Sequence, residues 1–126
     1  MSSNPIILIV EDTPDFARLT QLTLKRFGYE SYHVIDGEEA VAFMDEGRPD
    51  VVLMDLNLPG MSGWQVLEYL NYRFGEGNVP VIVTSAYSDT ANRTMGKLQG
   101  IYKYLIKPFS PQDLVETIEE ALNQGE

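Results

Sequence analysis

The sequence contains no cysteine and a single histidine, His33, among its 126 residues. A disulfide framework, a thiolate metal site and a cysteine nucleophile are therefore excluded, and one histidine cannot build a histidine-rich metal site. Basic residues are also few, because nine Lys and Arg stand against 19 Asp and Glu and give a formal net charge of -10 at pH 7. Such a charge disfavours attraction to phosphate backbones and anionic lipids. We therefore expect no direct nucleic-acid partner and no membrane partner.

Long hydrophobic runs are missing as well. The apolar run at 6–10 is far too short for a signal peptide or a membrane span, and the five residues before it carry no basic side chain. A cytoplasmic location is the expectation that follows. A chain of 126 residues with 44% hydrophobic residues fits one globular core and leaves no room for a second. We expect a single domain over residues 1–126.

Short apolar runs alternate with segments of helical periodicity along the whole chain. The runs are rich in β-branched residues and read as strands that are buried on both faces, which is typical of a parallel sheet with crossover helices. The predicted strands are 6–10, 29–34, 51–54, 80–84 and 101–106, and the predicted helices are 13–28, 36–47, 64–73, 88–98 and 111–123. Five βα units predict an α/β fold in which helices cover both faces of a five-stranded parallel sheet.

Chemically reactive side chains follow four of these strands. Because the carboxyl ends of parallel strands meet at one edge of the sheet, these residues are expected to share one pocket. They are Glu11 and Asp12 after the first strand, Asp55 and Asn57 after the third, Thr84 at the end of the fourth with Ser85 after it, and Lys107 after the fifth.

Three carboxylates in one pocket repel each other and need a compensating cation. Oxygen ligands without cysteine or histidine select a hard ion, and Mg²⁺ suits a few carboxylates, a backbone carbonyl and several waters. Lys107 adds a second positive charge and Ser85 a short donor, both suited to the oxygens of a tetrahedral anion. An aspartate such as Asp55 can also act as a nucleophile and form an acyl phosphate. The pattern predicts a site for a metal ion and a phosphoryl group.

These residues resemble the receiver domains of two-component response regulators over nearly the whole chain. The acidic pair Glu11-Asp12 resembles the metal site of that family, and the stretch 51–63 (VVLMDLNLPGMSG) resembles its phosphorylation loop. Lys107-Pro108-Phe109 resembles the segment of its lysine. Ser85 lies 30 residues and Lys107 lies 52 residues after Asp55, as in single-domain chemotaxis regulators. The resemblance implies a doubly wound, flavodoxin-like (βα)5 fold with strand order 2-1-3-4-5.

The resemblance also implies the roles of the pocket residues. Asp55 would accept a phosphoryl group from a sensor histidine kinase or a phosphotransfer protein, with Mg²⁺ bound. The ion would be held by Glu11, Asp12, Asp55 and the backbone carbonyl of Asn57. Glu11 stands where the family more often has aspartate, and its longer side chain can still reach the ion. Lys107 would pair with a phosphoryl oxygen, and the Lys107-Pro108 peptide bond would be cis.

Further implied roles concern signalling. The hydroxyl of Ser85 would move to bond the phosphoryl group, and the ring of Tyr104 would swing inward when it does. Asn57 and Tyr87 would tune the lifetime of the phosphoryl group. An unidentified downstream protein would bind the face formed by the predicted fourth helix, fifth strand and fifth helix, and the same face could pair two copies into a homodimer on phosphorylation. No role is assigned to His33.

Four functional interpretations remain after these observations. The first is a stand-alone receiver that signals through a partner and is no enzyme beyond its own phosphorylation and dephosphorylation, since the last predicted helix ends close to Glu126. The second is a receiver-like docking module that works without phosphorylation. The third, a phosphatase of the haloacid-dehalogenase type, is disfavoured because Asp55-Leu56-Asn57 follows the third predicted strand rather than the first. The fourth, a flavodoxin-like cofactor binder, is disfavoured because Glu11-Asp12 would repel an FMN phosphate.

Overall fold

A computed structural model of the chain describes residues 4–86 and 100–123. Within these residues the strands all pair in parallel, in the order β2-β1-β3-β4-β5, which confirms the predicted fold class and strand order. The strands are β1 (Ile6–Val10), β2 (Glu30–Val34), β3 (Val51–Asp55), β4 (Val81–Ala86) and β5 (Lys103–Lys107), and the helices are α1 (Pro14–Arg26), α2 (Gly37–Glu46), α3 (Gly63–Phe74) and α4 (Pro111–Asn123). The predicted helix at 88–98 lies outside the described residues.

The three central strands are buried on both faces because their side chains alternate between two apolar layers. On β1, Leu8 and Val10 join the cluster beneath α2 and α3, whereas Ile7 and Ile9 join the cluster beneath α1 and α4. A strand covered on both sides must be apolar at every position, which explains the continuous hydrophobic runs in the sequence. β2 lies at the edge of the sheet and is more polar and more exposed.

The starts of the helices follow from local sequence. Pro14 occupies the first turn of α1, where its missing N–H costs nothing. Asp36 caps α2 by accepting a hydrogen bond from the Glu39 amide at 2.8 Å. Ser62 and Gln65 form a reciprocal capping box at the start of α3. None of the helices in the described ranges is long and apolar enough to cross a bilayer.

The fourth and fifth strands extend further than the sequence predicted. Ser85 and Lys107 were expected to follow their strands but lie within the last pairs of the β4–β5 ladder, where Ser85 pairs with Ile106 and Ala86 with Lys107. The ladder continues because its backbone hydrogen bonds do not require apolar side chains. This register brings the ends of β3, β4 and β5 to the same edge, since Asp55 pairs with Thr84.

Gly63 is the close-packed point beneath the loop that follows Asp55. A Cβ atom at this position would lie 2.8 Å from the Leu56 Cα atom and 3.0 Å from the Asp55 carbonyl oxygen. Both neighbours are backbone atoms, so the loop itself would have to move.

We expect Gly63→Ala to lower the free energy of unfolding by about 1–3 kcal/mol, because overpacking displaces a buried backbone. Gly47→Ala is the matched control, since a Cβ there meets no atom within 4 Å and the backbone φ is an ordinary -173°. The control should change stability by less than about 0.5 kcal/mol. Urea denaturation of both variants measures the difference, and equal stabilities would contradict the proposed clash.

Candidate functional site

Three carboxylates converge at the carboxyl edge of the sheet. Glu11 and Asp12 follow β1, Asp55 ends β3, and one oxygen from each carboxylate lies within 4.8 Å of the others. Glu11 is 2% exposed and Asp55 is 8% exposed, whereas Asp12 is exposed to solvent. The two central strands place the buried acids side by side, and the turn after β1 adds the third.

Lys107 bridges the two buried acids from the end of β5. Its Nζ donates to Glu11 Oε1 and to Asp55 Oδ2, each at 2.9 Å. The distances and the burial of both acceptors make these charge-assisted hydrogen bonds rather than loose surface pairs. Lys107 therefore neutralises part of the repulsion that the sequence predicted for the acidic cluster. The Lys107-Pro108 bond that follows is cis, as the resemblance implied.

The protonation of Lys107 reflects two opposing effects. Desolvation by burial lowers its pKa, and the hydrogen bonds and charges of Glu11 and Asp55 raise it, with a net pKa above the ordinary 10.5. Because the folded pKa is raised, the charged lysine contributes its stability fully below pH 10.5, and the contribution is lost as pH rises through the folded pKa. At neutral pH the lysine is a fixed positive charge beside Asp55.

The remaining carboxylate oxygens are held by backbone amides. Asp55 Oδ1 accepts a hydrogen bond from the Asn57 amide at 2.9 Å, and Glu11 Oε2 accepts one from the Thr13 amide at 3.2 Å. Both buried carboxylates thus keep fixed orientations toward the shared edge. The part predicted for the Asn57 carbonyl as a metal ligand stays a prediction.

The oxygen cluster suits a small divalent ion. Ligand oxygens around one Mg²⁺ at 2.0–2.1 Å lie up to about 4.2 Å apart, close to the 4.8 Å spread of Glu11, Asp12 and Asp55. The set contains only oxygen donors, and two of the three acids are already fixed by hydrogen bonds. The residues therefore fit the Mg²⁺ that the sequence predicted.

For Ser85 and Tyr104, the structure gives a position on a strand but does not test the predicted role. Ser85 is 7% exposed near the end of β4, next to the strand that carries Asp55. Tyr104 lies on β5 opposite Val83, and its half-buried ring packs against the cluster beneath α2 and α3. Tyr87 lies outside the described residues. The roles assigned to these three residues stay predictions.

Three contacts at the site were missed by sequence reasoning. The ring of Phe16 on α1 lies under Lys107, with its centroid 4.4 Å from Nζ, and Phe109 meets that ring edge-on at 5.6 Å. The side chain of His33, from the edge strand β2, reaches the backbone carbonyl of Glu11. None of these contacts leaves a signal in the spacing of residues, because each depends on how neighbouring elements pack.

Solved structures with a similar fold include receiver domains. A CheY-like response regulator receiver domain protein from Methanospirillum hungatei superposes with a TM-score of 0.90 at 29% identity, over 97% of this chain and 96% of that one. A second similar structure is the receiver domain of the sensor histidine kinase PA1611 from Pseudomonas aeruginosa, which has a magnesium ion coordinated in its active site cleft. It superposes with a TM-score of 0.87 at 28% identity, over 97% of this chain and 100% of that one.

Curated relatives are longer than this chain. The DNA-binding response regulator MtrA of Mycolicibacterium smegmatis is 35% identical over 120 residues, which cover 95% of this chain and 51% of the relative. The sensory transduction protein RegX3 of Mycobacterium bovis is 37% identical over 119 residues, which cover 94% of this chain and 51% of the relative. The chain thus spans about half the length of the curated relatives it matches, and the stand-alone interpretation stays a prediction.

A family model describes most of the chain. The model of the response regulator receiver domain matches residues 7–119, a range that contains every residue of the acidic site and Lys107. The match agrees with the strand order and with the placement of the acids at the carboxyl edge of the sheet. The chain belongs to the receiver domain family of the response regulators of two-component systems.

Proposed function

We propose that Asp55 of this chain accepts a phosphoryl group in a Mg²⁺-dependent reaction, and that the modified domain signals to a protein partner. The observation that carries the proposal is the convergence of Glu11, Asp12 and Asp55 around the ammonium group of Lys107. Receiver domains accept phosphoryl groups from histidine kinases or phosphotransfer proteins, which are the proposed donors here.

The chemistry uses the fixed orientation of Asp55. One carboxylate oxygen of Asp55 forms a bond to phosphorus as the bond between phosphorus and the donor's nitrogen breaks, and the electron pair leaves with that nitrogen. Glu11, Asp12 and Asp55, with the Asn57 carbonyl as the predicted fourth ligand, would hold a Mg²⁺ ion that offsets the charge of the phosphoryl oxygens. The Asn57 amide restrains Asp55 through its second oxygen.

Lys107 gives the product a counter-charge. Its ammonium group is already 2.9 Å from Asp55 Oδ2, so it can bond a phosphoryl oxygen with a small movement. The ring of Phe16, whose centroid lies 4.4 Å from the ammonium nitrogen, favours a cation in this position. The site therefore holds a positive group ready before the dianionic phosphoryl group arrives.

The signal would leave the site through β4 and β5. Ser85 and Tyr104 lie on these neighbouring strands, and the proposal keeps the predicted sequence in which the Ser85 hydroxyl moves first and the Tyr104 ring follows. Lys103 and Glu120, 3.3 Å apart, join β5 to α4 on the face predicted to bind the downstream partner. Pairing of two copies through this face, the cytoplasmic location and the absence of direct nucleic-acid contact stay predictions.

Intact mass spectrometry after incubation with phosphoramidate tests the proposal. We expect the wild type to gain one phosphoryl group with Mg²⁺ and none with EDTA, and we expect Asp55→Asn to gain none because an amide is not a nucleophile here. Asp50→Asn is the matched control, since Asp50 precedes the same strand at the opposite end and accepts the Ile6 amide at 2.7 Å. It should be modified like the wild type.

The outcome that contradicts the proposal is a folded wild type that binds Mg²⁺ and gains no mass. That result would favour the docking module that works without phosphorylation. Equal labelling of the wild type and Asp55→Asn would instead place the modified residue elsewhere.

A further inference from the structure

We propose that His33 is a positioning residue that orients the acidic pair Glu11-Asp12 by holding the peptide group between them. The inference rests on the proposed function, because its consequence is the binding of Mg²⁺ and the phosphorylation that depends on it. His33 is the sole histidine of the chain, and neither the sequence pattern nor the catalytic scheme gives it a part.

The contact is short and reaches backbone rather than side chain. His33 Nε2 lies 2.6 Å from the carbonyl oxygen of Glu11. A carbonyl oxygen only accepts hydrogen bonds, so Nε2 carries the hydrogen and donates it. This assignment holds for the neutral ring and for the charged ring alike, and the proposal does not depend on the charge.

The hydrogen bond extends the β1–β2 ladder by one step. The Glu11 amide donates to the Val34 carbonyl at 3.0 Å, one residue beyond the last paired residue of β1. His33 lies on β2 opposite Ile9 and supplies a side-chain donor for the Glu11 carbonyl where β1 ends. Both backbone groups of Glu11 are therefore tied to the edge strand.

The geometry of this peptide decides where the two acids point. Successive side chains of a regular strand point to opposite faces of a sheet. Glu11 and Asp12 instead contribute carboxylate oxygens to one cluster, although Glu11 is 2% exposed and Asp12 is exposed. The chain bends at Asp12, and the peptide group that enters this bend contains the carbonyl held by His33.

Without the His33 hydrogen bond, the peptide between Glu11 and Asp12 would move more freely. The Glu11 side chain would stay largely in place, whereas the Asp12 side chain would lose its fixed orientation. Glu11 keeps its hydrogen bonds to Lys107 and to the Thr13 amide. Asp12 makes no hydrogen bond or ion pair with another part of the chain that the structure describes. The orientation of Asp12 thus depends on the backbone before it, and loss of the His33 contact should weaken the ion site rather than the fold.

Two substitutions of His33 separate the effect of its hydrogen bond from the effect of its ring. His33→Phe keeps a flat ring and removes the donor. His33→Gln removes the ring but places an amide nitrogen the same number of bonds from Cβ as Nε2, so it can restore the donor. Gln21→Leu is the matched control, because Gln21 Nε2 donates to the Ser31 carbonyl on the same strand at 3.5 Å, away from the acids.

The experiment measures Mg²⁺ affinity by NMR titration of the isotope-labelled 126-residue chain, the phosphoramidate labelling rate as a function of Mg²⁺ concentration, and stability in urea. We expect His33→Phe to lower Mg²⁺ affinity by about 10-fold, the size typical of lost hydrogen bonds to metal ligands. Its labelling rate at saturating Mg²⁺ should stay near the wild-type value. His33→Gln should recover most of the affinity, and Gln21→Leu should bind Mg²⁺ like the wild type.

Three results would overturn the inference. Wild-type Mg²⁺ affinity in His33→Phe would show that the contact positions nothing, and equal losses in His33→Phe and His33→Gln would show that the ring rather than the hydrogen bond matters. A labelling rate that stays low at saturating Mg²⁺ would indicate a general distortion of the site. Failure of the proposed function looks different, because the wild type itself would then not bind Mg²⁺ or would not be labelled.

Discussion

Lys107→Met is expected to lower the free energy of unfolding at pH 7 by about 3 kcal/mol, because it removes the partner of two buried carboxylates. Glu11 is 2% exposed and the Asp55 side chain 11% exposed, so solvent screens their two negative charges only weakly once the ammonium group is lost. Methionine keeps most of the length of the lysine side chain, which separates the loss of charge from a loss of packing. Urea denaturation at pH 7 measures the effect.

The same substitution on the same strand provides the control. Lys103→Met removes an ammonium group that pairs with Glu120 at 3.3 Å, but these side chains are 49% and 57% exposed. An exposed pair contributes less than about 1 kcal/mol. Equal effects of the two substitutions would contradict the claim that Lys107 stabilises the fold as the partner of two buried carboxylates.

Two changes of solution should reduce the difference between the wild type and Lys107→Met. Above pH 10.5 the difference should shrink, because the wild-type lysine loses its proton as pH passes through its raised pKa. Added Mg²⁺ should stabilise Lys107→Met more than the wild type, since an ion bound only by the folded state replaces the missing positive charge in the variant. No response to Mg²⁺ would count against the acidic cluster as a cation site.

The sequence predicted the sheet well because its strands are buried on both faces. A run such as Ile6–Val10 must be apolar throughout in a central parallel strand, and turn residues mark its ends. The acids of the site could be predicted equally well from the sequence, because each directly follows or ends a strand and the topology fixes where the strand ends meet. The resemblance to receiver domains supplied the strand order and the cis bond at Pro108, and the structure confirms both.

The contacts that refine the site could not be predicted in the same way. The ends of β4 and β5 were misplaced because Ser85 and Lys107 are polar, while backbone pairing continues regardless of polarity. The contact of Phe16 with Lys107 depends on the packing of α1 over the strand ends, and that of His33 with Glu11 on the register of an edge strand. Such contacts join residues far apart in sequence through atoms that no local pattern specifies.

Asp12→Asn is the substitution that should separate metal binding from stability most cleanly. Asp12 is exposed and contributes to the three-carboxylate cluster, but its side chain supports no other residue in the described part of the chain. Its loss should change the free energy of unfolding without Mg²⁺ by less than about 0.5 kcal/mol. Because repulsion among the acids is reduced, the change should be in the stabilising direction.

Mg²⁺ affinity in the same variant should fall by about 10- to 100-fold, because a hard ion loses one of three anionic ligands. Phosphoramidate labelling at a fixed, low Mg²⁺ concentration should fall in proportion, while Asp55 itself stays intact. Asp15→Asn removes the same charge from the first turn of α1, outside the cluster, and controls for the change in net charge. If both variants lost affinity equally, Asp12 would act through the general field of an acidic protein. A loss of Mg²⁺ affinity confined to Asp12→Asn would identify Asp12 as a ligand that binds the ion and does not contribute to stability.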